Sequence, residues 1–140
     1  CVMARGPESL LYQKVKENLP KSMITRLESR VGLGIPDCIV GLLGQRFVMI
    51  ELKVVKSGRR VKLSPHQIAF NLSHGMEDLP VFILVLHQKT GTTKASDAKL
   101  LLYHGRQSQD LYGQGVDAEP LAWWPYDDVD WHELRYKLIK

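Results

Sequence analysis

The residues best suited to chemistry stand close together in GIPDCIV and FVMIELKVV: Asp37 in the first string, Glu51 and Lys53 in the second. Side chains two apart on a strand leave from the same face, so Glu51 and Lys53 project together while Leu52 points away. The run around them is apolar on both faces, where an unpaired buried ion is costly. Two carboxylates beside an ammonium make a hard-oxygen site suited to Mg2+ or Mn2+, with the Leu52 carbonyl as a natural further ligand. A cation held there polarises a phosphate and lowers the pKa of a water for in-line displacement. Lys53 would orient that water or meet the charge that develops on the phosphate oxygens.

Asp37 joins this group only in one hairpin register. Gly44, Gln45 and Arg46 separate two apolar, β-branched runs, 37–43 and 47–55, which read as the arms of a hairpin. A two-residue turn of Gly44 and Gln45 would set Asp37 opposite Leu52, facing away from Glu51. An odd loop, such as 44–46, or a bulge brings Asp37 to the Glu51 face, and one of these is the expectation.

The flanking elements follow from local signals. Pro7 suits a first helical position, and Glu8, Leu11, Tyr12, Val15 and Leu19 fall on one helical face until Pro20, predicting a helix over 8–19 with Glu8 turned inward. Residues 21–34 mix signals; a short helix over 24–28 is one option before Gly32 and Gly34 break the pattern. The 47–55 run reads as a central strand. Ser64, Pro65 and Gln67 give an N-cap, a proline at the first position and a Ser-x-x-Gln capping box, predicting a helix to His74 that ends at Gly75. Runs 81–87 and 100–104 read as strands, and 105–126, rich in Gly, Gln and Pro, as irregular. Asp130 with Glu133 resembles a second capping box, with Trp131, Leu134 and Leu138 as the apolar stripe of a last helix. The order α, β-hairpin, α, β, β, α implies an α/β fold with a mixed central sheet flanked by helices.

With 140 residues and 44% hydrophobic content, the chain fits one domain with a real core. Its body spans about 7–105, with an irregular tail and helix over 106–140. Cys1 and Cys38 are too few for a disulfide framework and lack zinc-ligand spacing, so a reducing interior is expected and Cys38 reads as a small core residue. The longest apolar run, near 81–86, is too short for a membrane span, and no signal-like segment opens the chain; a soluble cytoplasmic protein is the expectation.

The net charge of +4 is unevenly spread. Lys53, Lys56, Arg59, Arg60 and Lys62 crowd one segment, which suits either a phosphate backbone approaching the strand or a solvated loop. Arg26 and Arg30, just before the hairpin, are further candidates for phosphate contact. Acidic residues, Asp117 to Glu133, gather toward the other end. His66 neighbours Gln67 at the mouth of the site, while His74, His87, His104 and His132 share no ligand spacing and read as structural or surface residues. Trp123 and Trp124 read as packing or interface residues in preference to a platform for unpaired bases.

IPD…IELK followed by KLSPHQ, together with RLESRVGLGIPD from Arg26, resembles the PD-(D/E)xK nuclease superfamily. Within it the pattern is similar to the virus-type replication-repair nuclease (VRR-Nuc) domain, particularly its small phage-encoded members. The resemblance covers roughly residues 8–86 and implies a restriction-endonuclease-like core. It makes Asp37 the metal-binding aspartate, Glu51 the second metal ligand, Lys53 the catalytic lysine, Glu8 the acid of the first helix near the metal, and Gln67 the glutamine that opens the helix after the active strand. The implied activity is hydrolysis of phosphodiester bonds in DNA with Mg2+ or Mn2+. Compact members are similar to homodimeric four-way-junction (Holliday-junction) resolvases, so branched DNA, a homodimer and, for a phage protein, the host cytoplasm are implied. A monomeric nicking, flap or exonuclease acting in repair, or a non-cleaving nucleic-acid-binding module, is the alternative.

Overall fold

Pro7 opens the first helix, α1 (Pro7–Asn18), where its fixed φ is favourable and its missing N–H costs no bond. The computed structural model describes residues 6–27, 34–88 and 97–140. Leu11, Tyr12 and Val15 are buried on one face of α1, the stripe expected of the sequence. Glu8, at the head of that stripe, is exposed instead of turned inward. The first turn of the helix reaches beyond the core that the later turns cover.

The open segment after Pro20 holds a strand, β1 (Ser22–Arg26), and no helix over 24–27. It is an edge strand, half exposed along its length, so its alternation is too faint to separate from a helical pattern. β2 (Cys38–Leu42) and β3 (Phe47–Val55) form the expected hairpin. α2 (Pro65–Met76) begins with the full Ser64/Gln67 capping box. It does not stop at Gly75: the helix runs one residue further, and Asp78, at φ 62°, turns the chain.

β4 (Val81–Gln88) and β5 (Ala98–His104) follow as strands. The stretch 105–126 is more ordered than its composition implies. It contains two single 3-10 turns, a short helix α3 (Ser108–Gln114) and an edge strand β6 (Ala122–Pro125). Pro125 is tolerated because an edge strand leaves its missing donor without consequence. The last helix, α4 (Trp131–Ile139), is capped by Asp130, whose side chain accepts from the Glu133 amide at 3.0 Å. The Glu133 carboxylate does not close the box; it accepts from the Trp124 indole at 2.6 Å.

Among the described residues the six strands lie side by side in chain order, β1 to β6. Every neighbouring pair is antiparallel except β3 and β4, which run parallel and are joined through α2, as a parallel pair requires. The sheet is therefore mixed, with helices on both faces. On one face Val48, Ile50 and Leu52 pack with Phe82, Leu84 and Leu102 against α1 and α4. On the other, Ile83, Val85, Leu101 and Tyr103 pack with Val61, Leu63 and Leu111 under α2 and α3. Glu51 and Lys53 belong to this second face. Arg46 ties the hairpin to the end of α4 by donating twice to the Leu138 carbonyl, at 2.7 and 3.3 Å.

Leu84 is fully buried at the centre of the first core. Leu84→Ala should cost about 2–5 kcal/mol, the range for a buried leucine that leaves a cavity, read as a lower urea midpoint with an unchanged slope.

Candidate active site

The hairpin register decides what Asp37 can reach. Cys38 pairs with Ile50 and Gly41 with Phe47, so one further step sets Asp37 beside Glu51. The Leu42 amide donates to the Arg46 carbonyl at 2.8 Å, which closes the turn over three residues, 43–45. That is the odd length the sequence demands, placed one residue earlier than 44–46. The Asp37 carboxylate accepts from the Leu52 amide at 2.8 Å, which holds it against β3.

Glu51 is 1% exposed. One of its oxygens, Oε2, accepts from the Gln67 side-chain amide at 3.2 Å, and the other, Oε1, is buried without a partner. Its pKa is pushed up to about 9, first by burial, then by the hydrogen bond and the charge of Asp37; Lys53 opposes this and Glu8 adds to it. Burial of a carboxyl beside a second carboxyl favours the protonated form.

Lys53 donates from Nζ to Gln67 Oε1 at 3.0 Å, and the same oxygen accepts from the Ser64 amide at 3.0 Å. One glutamine side chain therefore caps α2, holds the ammonium and steadies the buried carboxylate. Gln67 thus makes its capping bond and meets Lys53 and Glu51 at the same time.

Gly34 brings the Asp37 segment to this helix. It sits at φ 86°, and a Cβ there would collide with the His66 carbonyl. Only glycine combines that backbone with so close an approach. His66 itself is exposed at the start of α2.

Glu8 stands at the rim. It is exposed as a residue, yet partial burial of its carboxyl raises its pKa, with Lys53 opposing, Asp37 adding and Arg26 opposing. Its charge thus communicates with the site. Arg26 turns toward α1, donating to Ser9 Oγ at 3.2 Å and lying 5.3 Å over the Tyr12 ring. Arg30 lies outside the described residues. Lys56, Arg59, Arg60 and Lys62 are all exposed on the segment leaving β3, and Arg59 pairs with Asp117 at 2.8 Å.

Trp124 is buried in the core, as packing requires, while Trp123 is half exposed beneath Lys99. Cys38 is fully buried, with its thiol pushed up to about 12 by burial ahead of the charges of Asp37 and Glu51. No motif singles out Tyr112, which lines a cavity of about 450 Å3 with Lys53, Gln67, Ser64, Arg60 and Lys62. It lies in the Gly- and Gln-rich stretch whose helix was not expected.

No protein-family model matches the chain. No curated protein matches it either. Among solved structures, the chain is similar to Hjc, a Holliday junction resolvase from the archaeal hyperthermophile Archaeoglobus fulgidus. The two share 13% identity, over 73% of this chain and 75% of that one, with a TM-score of 0.46.

Chemically, the site offers two carboxylates, a held ammonium and an amide bridge. Among the described residues no three His, Cys, Asp or Glu side chains converge to enclose a metal by themselves. Asp37 and Glu51 are two donors of the right hard-oxygen kind, and Mg2+ commonly completes such a pair with water. The unpartnered Glu51 Oε1 has the chemistry of a ligand awaiting a positive partner.

The raised Glu51 pKa has a defined consequence for stability. Because the folded state holds a proton that the unfolded chain releases near its ordinary value of 4.5, metal-free protein should lose stability as pH rises from about 4.5 through about 9. Thermal melting in EDTA should show this fall, Glu51→Gln should flatten it, and Mn2+ should restore stability at the alkaline end by binding the ionised form.

Proposed function

We propose that this chain is a divalent-cation-dependent nuclease of the PD-(D/E)xK type, resembling VRR-Nuc domains, that hydrolyses phosphodiester bonds in branched DNA. The observation that carries this reading is Glu51: a carboxyl group 1% exposed, with one oxygen unpartnered, beside Asp37 and bridged by Gln67 to Lys53. Such a cluster is costly to a fold and has its natural use where a cation and a phosphate meet.

Asp37 and Glu51 would hold Mg2+ or Mn2+, with Glu8 at the rim as the third acid that the family resemblance assigns. The bound cation would polarise the phosphate and lower the pKa of the attacking water. Lys53, held by Gln67, presents an ammonium to the charge that grows on the phosphate oxygens. Asp37, fixed by the Leu52 amide, keeps its carboxylate at the strand edge without reorganising during the reaction. Lys56, Arg60 and Lys62 give the phosphate backbone a path across an exposed basic segment, a contact that conveys affinity without reading sequence.

A four-way junction as the substrate rests on the family resemblance, and it calls for two copies of the site. An apolar stretch near the hairpin supports a second copy as partner: Met23 and Phe47 are 69% and 68% exposed, and with Ile39 and Leu43 they line a cavity of about 480 Å3. Exposed apolar patches of this kind suit self-association about a two-fold axis. Among the described residues no helix is long and apolar enough to cross a membrane.

Incubation with four-way, flap, single-stranded and duplex DNA in Mg2+, alongside solution mass, tests the reading. Paired symmetric nicks confined to the junction, made by a dimer, are expected. Lys53→Ala and Asp37→Asn should each lower cleavage by about 100-fold or more, the scale of losing a charge-stabilising group. Equal cleavage of flaps or ends by a monomer would instead mark a nicking or repair nuclease. Cleavage unchanged by Lys53→Ala would overturn the catalytic assignment.

A further inference from the structure

Two cavities meet at Tyr112. One, of about 450 Å3, is lined by Lys53, Gln67, Ser64, Arg60 and Lys62; the other, of about 350 Å3, by Arg59, Gly113, Gln114 and Gly115; Arg60 and Tyr112 line both. Together they form a path that leaves the Lys53 side of the site and passes an aromatic ring 48% exposed. Among the described residues neither Arg60 nor Lys62 has an acidic partner, while Arg59 is held by Asp117.

We infer that Tyr112, with Arg60 and Lys62, is a platform for an unpaired nucleotide of the DNA strand that enters or leaves the active site. The inference rests on the nuclease reading and narrows its substrate to branched DNA whose bases are unstacked beside the point of cleavage. The phenol ring supplies a face on which any base can stack, and the two free cations take the phosphates of the same strand.

The ring is set on a fixed mount. Leu111, its neighbour on α3, is fully buried, and Ser108 Oγ at the start of α3 donates to the Ile68 carbonyl of α2 at 3.3 Å. The helix that carries Gln67 is thereby linked to the helix that carries Tyr112. On the other side the Val116 amide donates to the Arg59 carbonyl at 2.8 Å. Gly115, at φ 64°, makes that approach possible, since a Cβ there would collide with the Arg59 carbonyl. The basic segment and the ring are thus held together, and both are referenced to Lys53. A solvated loop with an incidental tyrosine would not need this bracing.

Fluorescence anisotropy in EDTA, where no cutting occurs, compares a perfect duplex with the same duplex carrying a short unpaired bulge and with a single strand. The wild-type protein should prefer the unpaired DNAs. Tyr112→Ala should cut that preference about tenfold, the share of one stacked base, whereas Tyr112→Phe should keep it. Arg60→Ala with Lys62→Ala should weaken binding to all three DNAs alike and lower the salt dependence. Equal preference in wild type and Tyr112→Ala, or Tyr112→Phe losing as much as Tyr112→Ala, would overturn the platform. Parallel cleavage in Mg2+ keeps the two readings apart. Protein that binds but cuts neither these DNAs nor a four-way junction overturns the nuclease reading, while the binding ratio still decides the platform. Protein that binds no DNA overturns both.

Discussion

Glu51 carries a carboxyl group into the interior of the sheet, where it must either keep its proton or, once ionised, have a positive partner beside it. The surroundings withhold the simplest partner. Lys53 leaves the same face of β3, yet its ammonium is held by Gln67 and not by Glu51, which meets the amide end of that glutamine on one side and the Asp37 carboxyl on the other. Gln67 bridges the two groups, accepting from the ammonium and donating to one oxygen of the carboxyl. Asp37, brought alongside, raises the cost of ionising Glu51 further. A cluster so arranged is short of positive charge and holds its ammonium apart from the buried carboxyl, which suits the cation site and phosphate-facing lysine proposed above.

Three local features of the chain maintain that arrangement. The three-residue turn at 43–45 sets the parity that puts Asp37 on the Glu51 side. Gly34 lets the segment before Asp37 lie against the start of α2. The Ser64/Gln67 box fixes the first turn of α2 so that the same side chain can reach β3. Each is a backbone constraint more than a contact between reacting groups, so the precision of the site derives from β3 and the segments pinned to it.

Much of this is legible in the residue string. β3 announces itself as an interior strand because it is apolar on both faces, and its two charges stand out for that reason. The start of α2 is written in Ser64, Pro65 and Gln67, and the parity argument for Asp37 needs only the turn length. Other parts are hidden for identifiable causes. β1 presents one face to solvent, so Met23 and Ile24 give no clear period. The helical stripe through Leu11 and Val15 shows which way α1 faces, but not that its first turn, with Glu8, extends past the covered core. α3 and β6 are held by long-range bonds such as Val116 to Arg59, and Gly, Gln and Pro mask them in composition. Tyr112 is therefore placed by tertiary contacts that no local pattern foretells.

The central claim is that Glu51 and Asp37 form a cation site. Its most direct measurement is anomalous diffraction from a crystal soaked in Mn2+ at alkaline pH. The expected result is one strong peak at about 2.0–2.2 Å from Glu51 Oε1 and within ligand distance of the Asp37 carboxylate, the spacing of hard-oxygen coordination. No peak between these carboxylates, with Mn2+ bound elsewhere or not at all, would contradict the account.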